Sequence, residues 1–301
     1  MRFTKMHGIG NDYVYVNCFE EQVPYPENLA IAVSDRNFAI GSDGLILICP
    51  SETADVRMRM FNSDGSESQM CGNGVRCVAK YSYDHGLAKG TELENPTIKR
   101  LLKDACPDED ELKQIKVETG RGVLAIGLAI KDGKVQQACV DMGPPILTPG
   151  LIPVNTPGKT AIDYPISIEA YNLKMTCVSM GNPHAVFFCL DVEAIDLEHL
   201  GPLIEKHAIF PQRINVHFVQ IVDGGEVIMR TWERGTGITL ACGTGASAVC
   251  VAGVLASQSN NQILAHLPGG DLVLYWDQEA DTVFMCGSAT EVFTGEWPDE
   301  K

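Results

Sequence analysis

The chain has 301 residues, enough for two domains of ordinary size, each with its own core. Hydrophobic residues make up 45% and charged residues 21%, the composition of a soluble, folded protein; a net charge of −16 argues against nucleic acid or an anionic membrane surface as partner. The uncharged stretch between Arg234 and His266 is too rich in Gly, Thr, Ser and Asn to span a bilayer and predicts a helix buried on all sides.

The opening residues, Met1 to Gly8, contain no apolar run of the kind a secretory signal needs. The eleven cysteines are therefore expected to be reduced thiols in a cytoplasm, most of them acting as small buried hydrophobes. Arg2–Lys5 and Tyr13–Phe19 predict short strands around a turn at Gly8–Asp12. A helix is expected over Pro26–Phe38, then strands over Leu45–Cys49 and Val56–Phe61 and a loop at Asn62–Ser66. A helix follows Cys71 and runs to about Asp84. Leu87–Gln114 carries two prolines and the run Pro107-Asp108-Glu109-Asp110-Glu111, and reads as a solvated surface excursion with some helix.

Ile115–Thr119, Val123–Ile130 and Val135–Met142 predict strands, with Gly143-Pro144-Pro145 as a domain boundary. Beyond it, strands are expected at Ile166–Ala170, Leu173–Ser179 and Ala185–Cys189. A helical region capped by Asp191 should run to about Ile209, interrupted at Gly201-Pro202. Val216–Val222 and Glu226–Trp232 predict a hairpin. After a second helix following Cys242, Ile263–Leu267, Asp271–Trp276 and Thr282–Cys286 complete the strands.

Two stretches repeat. Met70-Cys71-Gly72-Asn73-Gly74-Val75 is echoed by Ala241-Cys242-Gly243-Thr244-Gly245-Ala246, 171 residues on. At the same offset Asp55–Phe61 aligns with Glu226–Trp232, Gly10-Asn11 with Gly181-Asn182, and Leu45–Ile48 with Val216–Val219. Several blocks at one spacing point to an internal duplication: two homologous α/β halves facing one another across a cleft.

The chemistry follows from where each cysteine stands. A helix start presents unsatisfied N–H groups and the positive end of the dipole, which favour a thiolate and can hold a carboxylate. Two such thiols suit a two-base reaction, in which one removes a proton from carbon and the other returns one to the opposite face. Other readings of the same residues are a redox dithiol of Cys71 and Cys242, a phosphate-binding turn, or zinc ligation. The turns lack a P-loop Lys, and no Cys-x-x-Cys supports zinc. Cys77 and Cys250 are expected to face the cores of their helices.

Taken together, Met6–Asp12, Phe61–Glu67, Met70–Cys77, Met180–His184, Glu233–Gly237 and Cys242–Gly245 resemble the diaminopimelate epimerase family, in order and over nearly the whole chain. The resemblance implies interconversion of LL- and meso-diaminopimelate on the lysine and peptidoglycan pathway, with no pyridoxal phosphate and no metal. It implies an α+β fold of two pseudo-symmetric domains, each a curled mixed or antiparallel sheet around a central helix. The expected halves are 1–142, with the tail 288–301 packing back on it, and 143–287, usually in a homodimer.

By motif, Cys71 and Cys242 are the acid/base thiols. Gly72, Asn73, Gly243 and Thr244 are expected to hold the α-carboxylate. His184 and Glu233 would tune the thiols and contact the α-amino group. Asn11, Asn62, Asn182, Asn215 and Arg234 would read the rest of the substrate, Arg234 taking the distal carboxylate as a bidentate fork. The chain departs from the family pattern where His217 stands in place of the usual Glu, at Ser63 and Ser68, and in the length of the charged segment near Leu101–Gln114. Related cofactor-independent racemases share paired thiols, so racemisation of another amino acid is the second enzymatic reading.

Overall fold

The structure is a computed structural model that describes residues 1–298. It divides into two compact units, Met1–Val140 with the segment from Cys286 onward, and Asp141–Met285. Of the tail expected to pack on the first half, residues 299–301 lie outside the described residues.

In the first unit, β1 (Arg2–Gly8) and β2 (Asn11–Asn17) form a hairpin closed by Ile9 and Gly10, both at positive φ, which matches the right-handed twist of the strands. Helix α1 (Pro26–Ser34) begins on its proline and ends short of the expected Phe38. The Asp35 carboxylate takes the N–H groups of Asn37 and Phe38, which folds the chain into a turn instead. Next come β3 (Gly44–Cys49), β4 (Val56–Asn62), the short β5 (Glu67–Ser68) and α2 (Gly72–Asp84). After β6 (Thr91–Glu92) and α3 (Pro96–Ala105) the chain meanders through β7 (Glu111–Thr119), β8 (Gly122–Lys131) and β9 (Lys134–Asp141).

The second unit is formed by β10 (Tyr164–Ile168), β11 (Tyr171–Ser179), β12 (Pro183–Cys189), α4 (Leu197–Glu205), β13 (Asn215–Asp223), β14 (Glu226–Glu233), β15 (Gly237–Thr239), α5 (Gly243–Leu255), β16 (Gln262–Leu267) and β17 (Gly270–Asp277). β18 (Thr282–Gly287) carries the chain back, and β19 (Thr290–Glu296) lies antiparallel to β1.

The duplication is explicit in the pairing. β1, β2, β3, β4, β7 and β8 neighbour one another in that order, alternately antiparallel and parallel; β11, β12, β13, β14, β16 and β17 repeat the alternation. Register is kept as well: Val14 opposes Leu45 as Ala185 opposes Val216, and Leu45 opposes Phe61 as Val216 opposes Trp232. The two central helices have 13 residues each and start 171 residues apart, at Gly72 and Gly243. After them the offset falls to 148 (Val117 and Ala265, opposite Val56 and Val227), because the first unit holds the extra segment containing α3. The fold is α+β, with a mixed sheet around one helix in each unit.

Three expectations are corrected. The segment 87–114 is more than a solvated excursion: α3, capped by the Asn95 side chain at 3.1 Å, buries Ile98, Leu101 and Leu102. Helix α4 is capped by Asp196, whereas Asp191 takes the N–H of Glu193 in a separate turn; Pro202 lies inside α4 without interrupting it, and Gly201 packs on the Trp232 ring. Not every cysteine is a reduced thiol, because Cys139 and Cys286 sit opposite each other with Cα atoms 4.0 Å apart and form a disulfide. Among the described residues no helix is long and apolar enough to cross a membrane; α5 is apolar because it is enclosed by β11, β12, β13, β16 and β17.

The packing of α3 on β8 can be tested at Gly127, where an added Cβ would lie 2.4 Å from Ile98 Cγ2. Gly127→Ala should destabilise the protein by about 1–3 kcal/mol in urea unfolding. An unchanged midpoint and slope would contradict that packing.

Candidate active site

Each unit builds its site at the start of its central helix. At Cys71 the backbone is extended (φ −132°, ψ 125°), so the residue stands just outside α2 with its side chain over the orphan N–H groups. The sulfur accepts the Gly74 N–H at 3.4 Å, and the S–H donates to Asn11 Oδ1 at 3.4 Å. Asn73 donates to the same oxygen at 3.3 Å, while its own Oδ1 is buried with no hydrogen-bond partner. Asn11, Cys71, Gly72 and Asn73 therefore share one small site. Asn62, at the end of β4, donates to Ser66 Oγ at 2.9 Å within its own loop.

Asn11 is held from behind by groups not singled out in the sequence. Its Nδ2 donates to Asp43 Oδ2 at 2.7 Å, and Arg36 bridges Asp43 and Asp12 at 2.9 and 2.7 Å. The buried Lys5 pairs with Asp12 and donates to the Gly41 carbonyl. Burial pushes the Asp12 carboxyl up, but hydrogen bonds and charge from Arg36 and Lys5 outweigh it and hold the group below its usual range. Gly41–Gly44 reads as an ordinary turn in one dimension, and nothing in its composition marks Asp43 as an anchor.

In the second unit Cys242 takes the equivalent place (φ −133°, ψ 99°) before α5, but it is only 4% exposed. Asn182, the counterpart of Asn11, is turned the other way. Its Nδ2 donates to Thr244 Oγ1 at 3.3 Å, and its Oδ1 faces His184 Nε2 at 2.9 Å. Thr244 Oγ1 lies 3.8 Å from the Cys242 sulfur. His184 in turn meets His217, which meets Thr231, each at 2.9 Å. Glu233 borders Cys242 and accepts the Thr239 hydroxyl at 2.6 Å from β15, a strand absent from the sequence expectation.

Asn215 ties three strand ends together: its Nδ2 donates to the Pro183 carbonyl, and its Oδ1 takes the Arg234 N–H, both at 2.9 Å. The Arg234 guanidinium is exposed and donates to the Gln212 carbonyl at 3.0 Å; among the described residues no carboxylate pairs with it.

The expectation of a readily formed thiolate is corrected at Cys242. Burial first, and then the Glu233 carboxylate, push this thiol well above its ordinary value, and the Gly245 N–H and Thr244 hydroxyl do not compensate. The N–H at the helix start still lowers the thiol pKa, but burial and the Glu233 charge outweigh it here. Other cysteines are inert for simpler reasons: burial moves Cys77 to about 11 and Cys177 and Cys250 to about 12. Among the described residues no cluster of His, Cys, Asp and Glu could hold a metal ion.

The fold is one that racemases use. The structure is similar to that of a probable proline racemase from Agrobacterium radiobacter, with a TM-score of 0.68 at 14% identity, covering 99% of this chain and 93% of the other. The family model for diaminopimelate epimerase matches residues 3–148 and 176–292. Diaminopimelate epimerases of Acetivibrio thermocellus and Agathobacter rectalis are 50% and 52% identical to it, over 98% of this chain and 98% and 99% of theirs. The chain belongs to the diaminopimelate epimerase family, and it is an enzyme of the isomerase class.

Two measurements test the geometry. With its pKa raised, the unliganded Cys242 thiol should react with iodoacetamide several-fold more slowly than Cys71 at pH 7, and its rate should still climb above pH 9; a plateau near neutrality, followed by peptide mass spectrometry, would refute the buried-thiol description. For Asp12 the lowered folded pKa means that stability is gained above its unfolded value of about 4 and lost as pH falls through the folded value. Asp12→Asn should therefore cost about 3 kcal/mol at pH 7, because it removes the carboxylate paired with the buried Lys5, and the gap to wild type should narrow as pH falls below about 4.

Proposed function

We propose that the enzyme interconverts LL- and meso-2,6-diaminopimelate by α-proton transfer between thiols. One of Cys71 and Cys242 takes the proton as a thiolate, and the other returns a proton to the opposite face of the α-carbon. The observation that carries this reading is the duplicated placement of a cysteine at the N-cap of a 13-residue central helix, in a chain about half identical to named diaminopimelate epimerases.

The α-carboxylate suits the N–H groups at Gly72, Asn73, Gly243 and Thr244, which open helices and have no helical acceptor. Negative charge that develops beside that carboxylate is stabilised by the same fixed dipoles. Glu233, beside Cys242, suits the α-ammonium, and an ammonium placed there would offset the charge that raises the thiol. Asn11, Asn62, Asn182 and Asn215 would order the chain of the substrate, and the exposed guanidinium of Arg234, paired with no carboxylate among the described residues, would take the distal carboxylate. The two thiols supply the acid and the base, so the reading calls on no cofactor. Family membership further supports a homodimer acting in the cytoplasm on the lysine and peptidoglycan pathway.

Incubation with diaminopimelate in D2O should place deuterium at the α-carbon, while other amino acids in a panel stay unlabelled. Cys71→Ala and Cys242→Ala should each cut epimerisation at least 10³-fold. Turnover retained in both variants would sink the mechanism, and labelling of a different amino acid alone would transfer the activity to that substrate.

A further inference from the structure

Behind Cys242 runs a line of buried polar side chains that has no counterpart in the first unit. Thr231, His217 and His184 stand on neighbouring strands β14, β13 and β12 and are 2%, 0% and 0% exposed. Counting back 171 residues, their places are taken by Met60, Ile46 and Tyr13, also buried. Burying a hydroxyl and two imidazoles where a core of the same design uses a methionine, an isoleucine and a tyrosine is unfavourable unless every donor meets an acceptor.

With the Asn182 amide oriented as it is, the donors and acceptors meet in one order. Asn182 presents Oδ1 to His184, so Nε2 of His184 carries the hydrogen. Burial, with the neighbouring His217 and Arg234, holds His184 neutral, which leaves Nδ1 as an acceptor. That acceptor faces His217 Nε2, which must then donate; burial pushes His217 down to about 3, so it too is neutral, with Nδ1 bare. The Thr231 hydroxyl donates to that last nitrogen. Hydrogen bonds therefore run in a single direction, from Thr231 through both histidines to Asn182.

We propose that His217 and Thr231 are positioning residues that lock His184 as its Nε2–H tautomer and thereby set the polarity of the Asn182 amide beside Cys242. With that tautomer, Asn182 must turn its NH2 toward Thr244 Oγ1, freeing the Thr244 hydroxyl hydrogen for the sulfur 3.8 Å away. The opposite tautomer would turn the amide over and present an oxygen, as Asn11 does in the first unit under the hold of Asp43. The asparagine beside Cys242 thus donates to its helix start where the asparagine beside Cys71 accepts, and the difference originates in the strands behind it. Gly245 makes the arrangement compact: a Cβ there would lie 2.3 Å from His217 Cε1 and 3.1 Å from the Cys242 sulfur. The catalytic consequence rests on the reading of Cys242 as an acid/base thiol.

The test is 15N NMR of histidine-labelled wild-type enzyme together with His217→Gln, His217→Leu and Thr231→Val. In wild type, His184 and His217 should both be neutral Nε2–H tautomers from pH 8 to pH 5; a protonated ring, or Nδ1–H at either residue, would overturn the proposal without reference to activity. Gln keeps a donor facing His184 and should retain its tautomer, with kcat within about threefold. Leu and Val should leave His184 a mixture of tautomers and lower kcat for α-deuteration about tenfold, with KM nearly unchanged, the size expected for one lost buried hydrogen bond. Equal losses in the Gln and Leu variants would show that His217 only fills space, and would also overturn it. Cys242→Ala separates the two layers: exchange retained there removes the thiol reading but leaves the tautomer result standing.

Discussion

The close approach of each central helix to the strand behind it is the constraint on which the rest depends. The third helical residue, Gly74 or Gly245, has no room for a side chain, because an added Cβ would lie 2.7 Å from Ile46 Cδ1 or 2.3 Å from His217 Cε1. With a glycine there, the helix start can seat itself against β3 or β13, and the preceding cysteine is left extended at the cap. A sheet enclosing its helix, a thiol at the cap and an anion-receptive turn are consequences of this one contact, made twice.

Because the backbone is duplicated so closely, differences between the units can be assigned to single positions. Asn11 and Asn182 occupy the same place, yet one offers an oxygen to its helix start and the other an amide NH2. The amides are identical; what differs is the partner behind each, a carboxylate at Asp43 and an imidazole at His184. Asn62 and Glu233 likewise end equivalent strands, but Glu233 is tied to β15 and raises the neighbouring thiol, whereas Asn62 bonds within its loop.

Much of this was legible in the chain. The 171-residue offset, the strand pattern around it and the cap chemistry of cysteine before glycine identify the two helix starts, because each depends on residues close together in sequence. The α3 segment was less legible: its acidic run Pro107–Glu111 suggested a solvated face, while Ile98, Leu101 and Leu102 reveal their burial only when β8 is laid beneath them. Asp191 and Asp196 both satisfy the local rule for a helix cap, and only packing chooses between them.

The sequence by itself determined that the chain is an internal duplication of strands and helices with a thiol at the start of a helix in each half, since period, turn chemistry and caps are local properties. Tertiary structure alone decided that Cys242 is buried beside Glu233 and so resists ionisation, and that Cys139 meets Cys286. It also decided that Asp43 and His184 face the two asparagines. Burial and charge are sums over neighbours brought from distant parts of the chain, and a side chain's protonation and direction of donation follow from that sum rather than from its own identity.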